Sequence, residues 1–242
     1  MNRALGVSFI AISAASFGTL AIFGRYAYAN GLDTFTLLFL RFTFSALLMA
    51  GLLFIRRESL PRGGTLVRLA GMGALGLATL GAALTANPQG GQWSGILLAL
   101  SAAVIYSVYI IIGTGVMQQV SALQSSVVIF AAAGIVSGVL TAINGPHWPV
   151  TSAGWLSVAA MTLLATVIPV VAFLAGLKLI GPTDASMLST LEPVATVLLA
   201  ALLFGEILQP VTLLGGGLIL AAVLLLTRSQ LRQGRAADPP AN

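Results

Sequence analysis

Apolar residues fill this chain in long runs, broken by short clusters of Gly, Pro, Asn or charge. About twenty consecutive apolar residues suffice for a helix to cross a bilayer, and turn-forming residues mark where each run ends. Eight runs are readable: Ala4–Ala29, Thr34–Ile55, Leu66–Ala86, Gly95–Gly113, Ala122–Ile143, Gly154–Leu177, Asp184–Phe204 and Val211–Thr227. The predicted fold is all-α, a polytopic bundle of about eight transmembrane helices. No linker sets off a soluble domain. Only the polar tail, residues 228–242 with Asp238-Pro239-Pro240 near its end, is expected to be disordered.

The first run begins just after Arg3, as the apolar part of a signal sequence would. From Ala4 to Phe23 it exceeds the roughly 7–15 residues typical of such signals, and seven further runs follow. It is expected to remain as the first span.

Composition agrees with a lipid solvent. The chain is 58% hydrophobic and 7% charged, with a mean hydropathy of +1.02, whereas a soluble domain is about 25% charged. Its net charge of +5 does not point to nucleic acid, because most basic residues flank apolar runs. Nine of the eleven fall on one side: Arg3, Arg56, Arg57, Arg62, Arg68, Lys178, Arg228, Arg232 and Arg235. By the positive-inside rule both termini are cytoplasmic, the parity that an even number of spans requires. The expected location is the plasma (inner) membrane. There are no cysteines, so disulfides, iron–sulfur ligation and thiol chemistry are excluded.

The chain resembles itself. Gly6-Val7-Ser8-Phe9-Ile10-Ala11-Ile12-Ser13-Ala14-Ala15-Ser16-Phe17 is similar to Gly95-Ile96-Leu97-Leu98-Ala99-Leu100-Ser101-Ala102-Ala103-Val104-Ile105-Tyr106, 89 residues on. Gly76–Leu84 matches Gly217–Leu225 at an offset of 141, which is 52 residues longer, about two spans and a loop. The expected division is a shortened first repeat of about three spans in residues 1–86 and a second of about five in 95–227. Internal repeats are a common construction of secondary transporters. Chance similarity among Ala/Gly/Leu-rich helices is the alternative.

Gly181-Pro182-Thr183-Asp184-Ala185-Ser186, Leu191-Glu192-Pro193-Val194, Leu203-Phe204-Gly205-Glu206 and the Gly-rich last run resemble EamA-type proteins of the drug/metabolite transporter superfamily. Leu38-Phe39-Leu40-Arg41-Phe42 and Gly90-Gly91-Gln92-Trp93-Ser94-Gly95 fit the same resemblance. It implies an inverted-repeat architecture, ten helices in two five-helix halves, and export of amino acids, metabolites or drugs. Here the first half lacks a counterpart of Leu191–Glu206. A cavity wall shortened in this way needs lipid or a second subunit to cover it, so a homodimer or a poorly stable monomer is expected.

An ionisable side chain inside a span costs about 2.5–3.5 kcal/mol on insertion scales, which makes it a functional candidate by default. Glu192 is expected about 12 Å deep, some eight residues into its span at 1.5 Å each. Ser189, Glu192 and Thr196 share a helical face. Pro193 leaves the Ser189 carbonyl without its usual donor, and a helix break beside a carboxylate is how transporters build cation or proton sites. A structural glutamate beside a proline kink is the alternative.

Arg41 is expected about 10 Å from the outer side, about 8 Å in depth from Glu192 across a core of about 30 Å. A zwitterionic substrate fits that gap, and snorkelling to the interface is the competing account. Tyr106 and Tyr109 are mid-span, where a hydroxyl needs a partner; Tyr106 is taken as a candidate lining residue, with plain packing as the alternative. Trp93, Trp148 and Trp155 read as interfacial anchors. Gly134-Ile135-Val136-Ser137-Gly138 reads as a close-packing face.

No enzyme is expected. The sole histidine, His147, lies in a loop between Pro146 and Trp148, and HExxH, GxSxG and P-loop patterns are absent. Neither a filter loop nor a charged ring points to a channel. No catalytic residue, metal or cofactor is expected. The expected partners are the lipid bilayer, a small-molecule substrate and a second copy in a homodimer, with no nucleic acid. Transport is the leading expectation. The alternative is a transport-inactive relative serving as a scaffold or partner subunit.

Overall fold

The computed structural model describes residues 2–85, 116, 120–205, 208, 210 and 213–221. Its elements are α1 (Asn2–Gly18), α2 (Leu20–Ala29), α3 (Thr34–Ile55), α4 (Gly64–Thr85) and α5 (Ala122–Asn144). They continue with α6 (Ser152–Thr162), a π-helical turn (Leu163–Val167), α7 (Ile168–Ser189) and α8 (Glu192–Phe204); residues 213–221 are also helical. No strand occurs among the described residues. The protein is an all-α membrane bundle, as its apolar runs predict.

Five helical stretches among the described residues are long and apolar enough to cross a membrane. They are Arg3–Ala29, Thr34–Ile55, Ala122–Asn144, Ser152–Gly181 and Met187–Phe204, fewer than the eight expected. The expected span Gly95–Gly113 lies outside the described residues, as do parts of Leu66–Ala86 and Val211–Thr227. The sixth span also runs longer than Gly154–Leu177. It stops only at Gly181, whose φ of 81° and ψ of 169° end the helix and suit a residue without Cβ.

Among the described residues, three spans are interrupted. In the first, the Thr19 amide donates to the Ser16 carbonyl at 3.1 Å, a tightened turn between α1 and α2. In the sixth, the π-turn precedes Pro169, which has no N–H to continue the ladder. In the seventh, Thr190 and Leu191 donate three residues back, to Met187 and Leu188, before α8 begins.

The chain forms two packing units, and they group it differently from the repeat division, which concerns internal sequence similarity. Unit 1 comprises Met1–Tyr26 and Leu163–Asn242; unit 2 comprises Ala27–Thr162. In unit 1, α1 lies along α7. A Cβ on Gly6 would stand 2.5 Å from Ile180 Cγ2, and one on Gly176 would stand 2.9 Å from the Gly6 carbonyl. Only glycine permits so close an approach. The buried Ser13 hydroxyl donates to the Pro169 carbonyl at 2.8 Å, and Arg3 pairs with Asp184 at 2.9 Å.

Unit 2 is built on α3, α4, α5 and α6. Leu38, Phe42 and Ala133 form one buried cluster, with Phe130 against it; the Phe42 and Phe130 rings stack at 6.0 Å. Gly134 and Gly138 admit Thr43 and Phe39 of α3, the close packing expected of that face. Leu69, Met72, Val116 and Val128 make a second cluster. Asp33 caps α3 by accepting from the Phe35 amide at 2.9 Å, and His147 stands 3.7 Å from the same carboxylate.

Candidate functional site

Glu192 is the first residue of α8, directly after the interruption at Thr190–Leu191. The sequence places it about eight residues into its span, beside a break at Pro193; the structure makes it the first residue of a new helix, because the chain tightens at Thr190–Leu191, just before Pro193. The carboxylate therefore sits at the positive end of the α8 dipole, on a helix whose N-cap, Leu191, provides no side-chain cap. Glu192 is half-buried. Among the described residues, no ion pair or hydrogen bond engages its carboxylate.

Its expected companions are committed locally. Ser189 donates to the Ala185 carbonyl at 2.9 Å, and Thr196 donates to the Glu192 carbonyl at 3.0 Å. Thr190 donates to Met187 at 2.6 Å. Each hydroxyl oxygen keeps lone pairs with which to accept a bond or meet a cation.

The face of α8 that carries Glu192 and Thr196 meets the interruption of the first span. A Cβ on Gly18 would lie 3.0 Å from the Thr196 amide nitrogen and 3.1 Å from Ala195 Cβ. Thr19, the next residue, turns its hydroxyl to the Ser16 carbonyl at 2.6 Å. Two broken helices of unit 1 thus meet within about one turn of the carboxylate. Sequence reasoning missed the partner break; the signal was Gly18-Thr19, a flexible residue and a polar one inside an apolar run. It also missed the π-turn, whose signal was Pro169.

The far side of α8 is different. Pro193, Val197 and Leu198 face Leu213, Gly216 and Leu220 across an apolar cleft of about 420 Å³, and Glu192 does not line it.

Arg41 belongs to unit 2, whereas Glu192 belongs to unit 1. Its guanidinium, that of Arg41, stands 5.0 Å from the centre of the Phe42 ring. Tyr106, like Tyr109, Trp93 and Glu206, lies outside the described residues.

A profile of the EamA-like transporter family matches residues 4–86 and 93–228. The chain belongs to the EamA-like transporter family. Membership, with the apolar helices, makes it a multi-pass membrane protein and points to a transporter rather than an enzyme. It is also similar to an uncharacterized inner membrane transporter, YicL, of Salmonella typhimurium, at 34% identity over 94 residues. That similarity covers 39% of this EamA-like chain and 31% of the relative. No solved structure matches the chain.

Proposed function

We propose that this EamA-like protein is a secondary exporter of amino acids, metabolites or drugs, and that Glu192 is the group on which transport depends. The observation that carries the proposal is a carboxylate without a protein partner among the described residues, at the meeting of two interrupted helices. An ionisable group in a span is costly unless it is used, and helix breaks free backbone dipoles for substrates and ions. Glu192 binds a substrate ammonium when ionised or exchanges a proton during the cycle. Ser189 and Thr196 offer hydroxyl oxygens from the two turns beside it, and Pro193 keeps the break open. Arg41 serves an anionic part of the substrate, and Tyr106 lines the path. With no P-loop in the sequence, transport draws on an ion gradient or on the substrate's own gradient.

On this reading the protein sits in the plasma (inner) membrane with both termini cytoplasmic, as a homodimer. Uptake and efflux of radiolabelled amino acids and fluorescent drugs in proteoliposomes test it, with Glu192→Gln as the control. A second reading has one specific support. The first repeat lacks a counterpart of Leu191–Glu206, as a transport-inactive scaffold or partner subunit would allow. Absence of flux for the whole panel, in both directions, favours that reading.

A further inference from the structure

The turn after α3 holds an arginine where helices prefer glycine. Arg56 is the C-cap of α3, and the next two residues close a Schellman motif. The Glu58 amide donates to the Leu53 carbonyl at 3.1 Å, and the Arg57 amide donates to Phe54 at 3.0 Å. This motif needs a left-handed residue at Arg57, and Arg57 has φ of 55°. Glycine adopts that conformation freely; a residue with a Cβ does so under strain.

The same segment gathers charge. Arg56, Arg57, Arg62 and Arg68 are all exposed, and among the described residues none of their four guanidinium groups makes an ion pair or hydrogen bond. The one acid in the segment, Glu58, is turned to the Ser121 hydroxyl, from which it accepts a hydrogen bond. The loop is pinned in place as well: the Gln124 side-chain amide donates through Nε2 to the Ser59 carbonyl at 2.6 Å. Gln124 and Ser121 together form the capping box of α5.

Next to the arginines along the chain come Phe54 and Ile55, just before Arg56, and Val67, just before Arg68, exposed by 84%, 77% and 70%. α3 is long and apolar enough to cross the membrane, so the residues directly after it stand at headgroup depth. We infer that this turn is a binding site for an anionic phospholipid, its phosphate held by Arg56, Arg57 and Arg62 and its acyl chains lying over Phe54, Ile55 and Val67. Guanidinium groups match phosphate by paired hydrogen bonds, and basic clusters next to a span attract acidic headgroups. A soluble anion leaves the apolar rim without a role. Orientation by the positive-inside rule needs only basic residues, and a glycine at position 57 with its basic neighbours would serve it without strain.

The full-length protein, purified and delipidated in mild detergent, is titrated with phosphatidylglycerol, phosphatidylcholine or inorganic phosphate. Bound lipid is read by native mass spectrometry and stability by thermal unfolding. Phosphatidylglycerol is expected to bind in preference and to raise the Tm, whereas phosphatidylcholine and phosphate do neither. Arg57→Gly relieves the strained turn, so its Tm without lipid should equal or exceed that of the parent. Its affinity for phosphatidylglycerol should fall about fivefold, the factor matching roughly 1 kcal/mol for one basic residue at an anionic surface. The triple variant Arg56→Gln, Arg57→Gln, Arg62→Gln should lose the preference altogether. Undiminished binding in Arg57→Gly and the triple variant overturns the assignment. So does an equal Tm rise with phosphate alone, which would mean a soluble anion is the ligand.

Discussion

Gly18 of α1 lies against Thr196 of α8, so closely that a Cβ on the glycine would stand 3.0 Å from the Thr196 amide nitrogen. The neighbouring atoms belong largely to the α8 backbone, which cannot swing aside as a side-chain tip can. Gly18→Val should therefore push α1 from the first turn of α8. Overpacking of this kind costs about 1–3 kcal/mol. The check is the midpoint of thermal unfolding in detergent, which should fall, and fall further than for Gly18→Ala.

Gly176 and Gly51 make a paired test of which glycines hold helices together. A Cβ on Gly176 would meet Ile10 at 2.7 Å and the Gly6 carbonyl at 2.9 Å, whereas one on Gly51 would meet nothing within 4 Å. Gly176→Ala should destabilise the α1–α7 contact and lower the Tm. Gly51→Ala, in the open interior of α3, should be neutral or gain up to about 1 kcal/mol from helix propensity. Equal effects at the two positions would remove close packing as the reason for Gly176.

The spans and the break beside Glu192 were legible in the sequence for different reasons. Long apolar runs report the thickness of the bilayer, so α3 and α5 begin where the apolar pattern puts them and end within a residue of it. Pro193 announced a disturbed helix, but not that the turn would tighten ahead of it and make Glu192 the start of α8. Gly18-Thr19 and Pro169 sit inside otherwise uniform runs, where hydropathy hardly registers a change in hydrogen-bond pattern. The approach of Gly18 to Thr196 joins residues far apart in the chain, and no local pattern carries such a contact. The committed hydroxyls of Ser189 and Thr196 were hidden for a related reason: a serine or threonine in a helix can turn to its own preceding carbonyl.

Orientation is tested with reporters. The basic residues predict both termini in the cytoplasm and the Asn144–Val150 loop outside. Fusions after Arg228 and within that loop should report opposite sides of the membrane. The same side for both contradicts the proposed topology.

The role of Glu192 is tested most directly by Glu192→Gln in proteoliposomes, once the panel has identified a transported compound. The amide keeps the size and hydrogen-bonding capacity of the side chain and removes its charge and its titration. Glutamine should preserve insertion and thermal stability, since the carboxylate has no protein partner among the described residues to lose. Initial rates of transport are then measured from acid to alkaline pH for both proteins. The variant is expected to lose transport, or to retain a slow rate that no longer changes with pH. Transport at the parent rate, with the parent pH profile, would contradict that expectation and leave Glu192 as a first-turn residue that serves α8 alone.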